Sequence, residues 1–497
     1  MINFKDNAIF QYTIKTSIAL LILYTIWFML WTILYTETGN GDNVEHIHST
    51  WLVYNNKIPY KDFFQHHNPL MWYIFAPLIG NITDVIMLLD LAHAIGMIAG
   101  VITFIFVYKI SSRFFASKTA SIISILVLSP PFFYIYCFNF NPDTFMALSY
   151  AIGIYYLFRY WEKQLLQHLV IAFFSFFIAF LFTQKILIVL FVLGLLSLFV
   201  FYKQKAPIPD ILYALLMPIA GLGVFIAYLY NNSILELYWQ TNYLFNIEMQ
   251  EYYGYNKISV VDREFLDKAL ILSVVSILLF FIKSNIYFKI TSIMLIIEAI
   301  QRYFYFSISP YYMLPLMIYM VCINSVIIEK ILQKRYEIIV FFIGIACFYA
   351  YISEREYIQA RGKNRSFANY LASEITPCDY VLSSFLGSQS VISKDPHYYW
   401  ALLGHIDMAG DKMGIHPKPN VSELVLKYKP KFIYGGVYLD NYSKNRGQHI
   451  PVQKVDDKII QEFYRASPFP YFYILKEEYQ QKKCRYNKSK KEWEYEV

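Results

Sequence analysis

Two short segments hold the densest set of proton- and metal-binding side chains in this sequence. They read Gly41-Asp42-Asn43-Val44-Glu45-His46-Ile47-His48 and Phe63-Phe64-Gln65-His66-His67-Asn68-Pro69-Leu70. A carboxylate with an ordinary pKa of ~3.9 is ionised at neutral pH. It takes a proton only once a partner hydroxyl becomes acidic during bond formation. Carboxylates and imidazoles together are also ligands for divalent metals such as zinc. Both segments follow an apolar run long enough to cross a bilayer. Charge is costly at that level, so these side chains are a functional signal in themselves.

The elements that would position them can be read from periodicity. Val44, Ile47, Trp51 and Tyr54 recur at three- and four-residue steps, with Asp42, Glu45 and Ser49 displaced from that stripe. The spacing predicts an amphipathic helix over 42–54, lying in the membrane interface. Asn55-Asn56 stops it, Pro59 and Pro69 break the next segment, and the apolar stretch 70–79 dips back. Asp42 stands where an N-cap would be. Glu45, three residues on, completes a capping-box-like pair, which alone accounts for both acids. A carboxylate at a helix start beside the membrane can also meet a substrate. His46 and His48 are two residues apart, face nearly opposite sides of a helix and cannot share one ion. Glu45 with His48, or Asp42 with Glu45 and His67, could. The motif His-Glu-x-x-His is absent, and histidines bonded to backbone or water explain the pattern more simply. A divalent metal is left open, with no ligand set assigned.

Composition places these segments in a membrane protein. Of 497 residues, 57% are hydrophobic and only 16% are charged, well short of the quarter expected for a soluble domain. Apolar runs fall near 16–35, 85–108, 119–136, 145–161, 169–182, 186–202, 211–230, 269–282, 290–305, 311–328 and 338–352. The sequence therefore predicts a polytopic α-helical protein with about eleven transmembrane helices and interfacial helices in the first outer loop. The net charge of +7 sits on alternate loops: Lys109, Arg113 and Lys118; Arg159 and Lys163; Lys203 and Lys205; Lys283 and Lys289; Lys330, Lys334 and Arg335. Basic short loops stay cytoplasmic. That places the N-terminus inside, the first loop and the C-terminal region outside, and gives no reason to invoke nucleic acid.

After residue 352 the chain turns polar, which predicts two domains, 1–352 and 353–497. Strand-like runs at 379–385, 432–438 and 470–475, and helix-like ones at 366–375, 422–428 and 457–466, predict a small extracytoplasmic α/β domain. The basic stretch 480–491 reads as a solvated tail. Cys378 and Cys484 lie in this region and could pair if it faces an oxidising compartment. No internal repeat is evident, which counts against an inverted-repeat transporter.

One span, an outer loop with an early acidic pair, and an aromatic-rich stretch ending in a polar pair before Pro69 together resemble the C-type glycosyltransferase superfamily. The branch is that of the aminoarabinose transferases, protein O-mannosyltransferases and bacterial lipopolysaccharide glycosyltransferases. Three further segments agree: Asn141-Pro142-Asp143 opening a span, Thr183-Gln184-Lys185 ending one, and Arg302-Tyr303 with Ser309-Pro310-Tyr311-Tyr312-Met313-Leu314-Pro315. The resemblance implies an enzyme of the bacterial cytoplasmic (inner) membrane. It would pass a sugar from a polyprenyl-phosphate donor to a lipid, glycan or protein acceptor outside. Asp42 matches the catalytic base and Glu45, loosely, the second acid. His67-Asn68-Pro69 departs from the Glu-Lys-Pro of members whose acid helps bind a metal, which puts a metal in doubt.

The chemistry so implied is one displacement with inversion at the sugar carbon. The departing phosphate gains charge, so cations should stand ready. Lys185 and Arg302, at expected outer span ends, are the candidates, with snorkelling to lipid headgroups as the plain alternative. Asp143 reads as a helix cap with a substrate-binding role. His67, Tyr311 and Tyr312 complete the candidate substrate contacts. Two other readings stay open: a transporter or flippase of lipid-linked sugars, and a glycan polymerase or ligase.

Overall fold

The computed structural model describes residues 41–128, 139–248, 260–282, 285–305, 314–334, 373–382, 391–399, 409–434 without 411 and 418, 455–468, 472–480, 484–487 and 492–495, with 16, 23 and 370. The expected spans at 16–35 and 338–352, apart from residues 16 and 23, lie outside these, as do Tyr311 and Tyr312. The chain divides into two units. One comprises Met1–Thr36, His93–Phe225 and Tyr253–Arg361; the other comprises Glu37–Ala92, Ile226–Tyr252 and Gly362–Val497. The first loop thus packs in the same unit as the C-terminal region.

Helices dominate the first unit. Among the described residues, four helices are long and apolar enough to cross a membrane: Val85–Phe114, Gln184–Gln204, Ile208–Asn231 and Leu314–Gln333. This is a multi-pass membrane architecture. Helix Ile208–Asn231 leaves Leu212, Leu216, Ile219 and Val224 exposed, as a helix bathed in lipid would. Leu166–Phe182 is apolar but shorter. It pairs with Pro142–Lys163, the two meeting so closely that a Cβ on Gly153 would stand 2.3 Å from the Phe176 ring. Gly96 plays a similar part. A Cβ there would meet the backbone of Asn139 at 2.6 Å, so only glycine lets the chain entering helix Pro142–Lys163 pass this close.

In the second unit, helix α1 (Gly41–Tyr54) packs on α2 (Leu70–Ile79). As the sequence predicts, α1 ends before Asn55-Asn56, and Asn56 takes a left-handed φ of 60°. The C-terminal region forms a four-stranded sheet, β1 (Val381–Leu382), β2 (Phe432–Tyr434), β3 (Tyr464–Ala466) and β4 (Phe472–Leu475), in the order β1-β2-β4-β3. Only β1 and β2 are parallel. Helices Val421–Tyr428 and Asp457–Phe463 supply Val421, Val425 and Ile460 to a core with Leu382, Ile433 and Leu475.

Two sequence expectations change here. The helix expected over 457–466 ends at Phe463, and the last three residues form β3, whose Tyr464 side chain is buried against the core. The expected solvated tail contains β5 (Cys484–Asn487), which pairs antiparallel with β6 (Glu492–Tyr495). A Cys378–Cys484 disulfide fastens this hairpin to the residues before β1. The Tyr495 hydroxyl donates to Asp379 beside it. Alternating charged and aromatic residues hid the hairpin behind a basic composition.

Candidate active site

Helix α1 carries the first cluster. The sequence predicts one polar, exposed face, but every residue from Asn43 to Val53 is buried. The polar face is therefore a second packing face. Asp42 is within the helix instead of capping it. Glu45 is 4% exposed, and its Oε1 accepts from Gln65 Nε2 at 2.9 Å. The same Gln65 nitrogen donates to Ser49 Oγ, also at 2.9 Å. Glu45 and Ser49 are i and i+4 on one helix face, and Gln65 bridges them from the loop.

That loop is held in an uncommon shape. Tyr60 has a left-handed φ of 68°, which costs of order 1 kcal/mol or more in a residue with a Cβ. Its surroundings hold it there. The Tyr60 hydroxyl donates to His67 O at 2.6 Å, and the Tyr60 carbonyl accepts from the Tyr398 hydroxyl at 2.9 Å. Asn68 Oδ1 accepts from the buried Tyr238 hydroxyl at 2.8 Å. The turn delivers His67 to α1. Glu45, His46 and His67 are all buried, and one candidate ligand atom from each lies within 4.8 Å of the others. The His46 and His67 rings meet edge to face, with centroids 5.1 Å apart.

His48 points elsewhere, as its spacing from His46 requires. It stacks on Trp51, and its Nε2 lies 2.9 Å from Asp395 Oδ2. Of the metal groupings drawn from spacing, Glu45 with His48 is not assembled, Glu45 and His67 come together, and the Asp42 side chain lies outside what the structure describes. The grouping is Glu45, His46 and His67. Spacing sets His46 against His48 and does not pair it with Glu45. The signal was its adjacency to Glu45, since neighbouring residues lie only about 100° apart around a helix.

The second cluster lies in the other unit. Asn141, with extended backbone, caps helix Pro142–Lys163, its side chain accepting from Thr144 N at 2.9 Å. The cap is therefore Asn141, and the expected cap at Asp143 is corrected. Asp143 occupies the first turn, where the helix dipole favours a carboxylate. It is 4% exposed, and its Oδ2 lies 3.6 Å from Lys185 Nζ. Lys185 sits in the short 3₁₀ turn Gln184–Ile186, between helix Leu166–Phe182 and helix Leu187–Gln204. Among the described residues, Asp143 Oδ1, Asn141 Nδ2 and the fully buried Thr183 Oγ1 have no hydrogen-bond partner. Such atoms are rare in folded proteins, and a bound polar ligand is one of the standard reasons for them.

Arg302 lies on helix Ile286–Tyr305. The sequence reading missed Glu298 on the same helix, which is fully buried and acts electrostatically on the hydrogen-bonded pair Tyr150 and Tyr319. Its signal was an acid inside an apolar run.

The crystal structure of ArnT from Cupriavidus metallidurans in the apo state aligns over 75% of this chain and 83% of its own, at 8% identity and a TM-score of 0.55. The same protein bound to undecaprenyl phosphate aligns over equal shares at 9% identity and a TM-score of 0.52. No curated protein sequence matches. Residues 67–230 match the family model for dolichyl-phosphate-mannose-protein mannosyltransferase.

Proposed function

We propose that this protein is an inverting glycosyltransferase that moves a sugar from a polyprenyl-phosphate donor to an envelope acceptor. The observation that carries the reading is that the ion pair between buried Asp143 and partly buried Lys185, with its unpartnered polar neighbours, falls inside the segment matching a mannosyltransferase family. The ArnT fold relative that binds undecaprenyl phosphate supports a polyprenyl-phosphate ligand. The Cys378–Cys484 disulfide supports an oxidising compartment around the C-terminal domain. With the basic loops, it favours a cytoplasmic-membrane protein whose N-terminus is inside and whose domain 353–497 is outside, after a transmembrane domain of 1–352 and about eleven spans.

In this mechanism the acceptor hydroxyl attacks the anomeric carbon from the face opposite the phosphate. The new C–O bond forms as the bond to the phosphate oxygen breaks. Asp42 takes the hydroxyl proton, and polyprenyl phosphate leaves with the bonding electrons. Lys185 and Arg302 offset the charge gained by the phosphate, with Asp143 holding Lys185 in place. Glu45 is the second catalytic acid beside Asp42, and His67, Tyr311 and Tyr312 contact the substrate. No step requires a metal.

Purified protein in lipid vesicles, given a polyprenyl-phosphate sugar labelled at the anomeric carbon and an envelope extract, should release polyprenyl phosphate. It should leave the label on an acceptor with inverted anomeric configuration. Movement of intact lipid-linked sugar across the vesicle without transfer would instead establish the flippase reading.

A further inference from the structure

Glu45, His46 and His67 offer one carboxylate and two imidazoles, a donor set that fits zinc by type. A fourth side chain changes this. Trp72, on α2, is fully buried, and its Nε1–H donates to His46 Nδ1 at 3.3 Å. The two rings lie 22° from parallel with centroids 6.1 Å apart. An indole nitrogen can only donate. His46 Nδ1 must therefore accept, which makes His46 a neutral ring with its single proton on Nε2. Whichever nitrogen turns toward Glu45 and His67, no lone pair is left for a metal. The Nδ1 pair is engaged by Trp72, and Nε2 carries hydrogen. His46 is 2% exposed, so water cannot readily replace the indole. Among the described residues no other metal-ligating side chain joins the three. That leaves Glu45 and His67, one ligand short of the three protein ligands of a catalytic zinc site.

We propose that Trp72 is a positioning residue that fixes the His46 tautomer and so makes this cluster a metal-free hydrogen-bonding site. His46 presents a permanent N–H to oxygen. Glu45, already bonded to Gln65, supplies the negative charge. The idea deepens the proposed function and rests on it for the identity of the oxygen, a sugar or acceptor hydroxyl. Its chemistry stands on the Trp72–His46 bond alone.

The test is a titration of full-length, tag-free protein in detergent with Co²⁺, read by visible absorption. Wild type and His67→Ala should bind the same number of equivalents, because surface histidines contribute equally to both. Trp72→Phe, which keeps an aromatic ring and removes the N–H, should bind one more equivalent per chain. The double variant Trp72→Phe/His67→Ala should lose it. The proposal is overturned if wild type binds one equivalent more than His67→Ala, or if a monodisperse Trp72→Phe gains none. Trp72→Leu serves in its place should Trp72→Phe not fold, and the wild-type comparison is independent of either. Any transfer activity of the wild type should be unchanged by excess EDTA. Absence of transfer altogether would remove the proposed function while leaving the Co²⁺ result to decide this one.

Discussion

The first-loop cluster and the Asp143–Lys185 pair are both polar and shielded from water, yet they are held together in different ways. In the first loop, Gln65 donates to Glu45 and Ser49, Trp72 donates to His46, and Tyr60 donates to the backbone of His67. At Asp143 an ion pair at 3.6 Å is flanked by Asp143 Oδ1, Asn141 Nδ2 and Thr183 Oγ1, which find no hydrogen-bond partner among the described residues. A wired cluster holds its groups in fixed protonation states and orientations before any substrate arrives. An unsatisfied one carries a desolvation cost of about 1–3 kcal/mol per group that a polar ligand can relieve. The contrast suggests a division of labour, with the first loop set up for proton handling and the Asp143 region for binding.

That division can be broken by substitution. The largest effect should follow Lys185→Met. It removes the cation that offsets the charge gained by the departing phosphate and leaves Asp143 without that partner, so kcat/KM for the lipid-phosphate sugar should fall roughly 100-fold, through kcat as well as KM. Asp143→Asn should lose less. An unchanged kcat in Lys185→Met would remove Lys185 from the chemical step. Gln65→Leu should come next. It leaves Glu45 without its 2.9 Å donor and should lower kcat about 10-fold with KM nearly unchanged, as expected when one hydrogen bond to a charged group is removed.

The smallest effect concerns stability. Burial pushes the half-buried His397 imidazole down from 6.5 to about 4. The unfolded chain therefore binds a proton between those values that the folded chain does not. Stability from this group is complete above pH 6.5 and is lost as pH falls toward 4. Thermal unfolding of wild type should steepen with acid over that window, and His397→Phe should flatten the slope. An identical slope in both would show that His397 is not its source.

The sequence carried the helical architecture well because span-length apolar runs and helical periodicity are one-dimensional signals. It carried the C-terminal end of α1 for the same reason, since Asn55-Asn56 can be read locally. It was weaker where partners are distant. Nothing near Asp395 marks it as the partner of His48, and nothing in 457–466 signals that Tyr464 leaves a helix to enter a sheet beside Phe472–Leu475. Spacing offers both His48 and His67 as partners of Glu45, because it gives direction around a helix but not what waits on each side. Trp72, ten residues beyond Asp62 in an apolar stretch, read as packing, and only its distance to His46 gives it another role.

The central claim, lipid-phosphate sugar transfer with Asp42 as base, is tested most directly by one comparison. Wild type and Asp42→Asn, both monodisperse in detergent, would be assayed side by side for release of polyprenyl phosphate from a polyprenyl-phosphate sugar in the presence of acceptor. The account predicts steady release by wild type and a loss on the order of 100-fold or more in the variant, the scale of losing a general base. Full release by Asp42→Asn would contradict it.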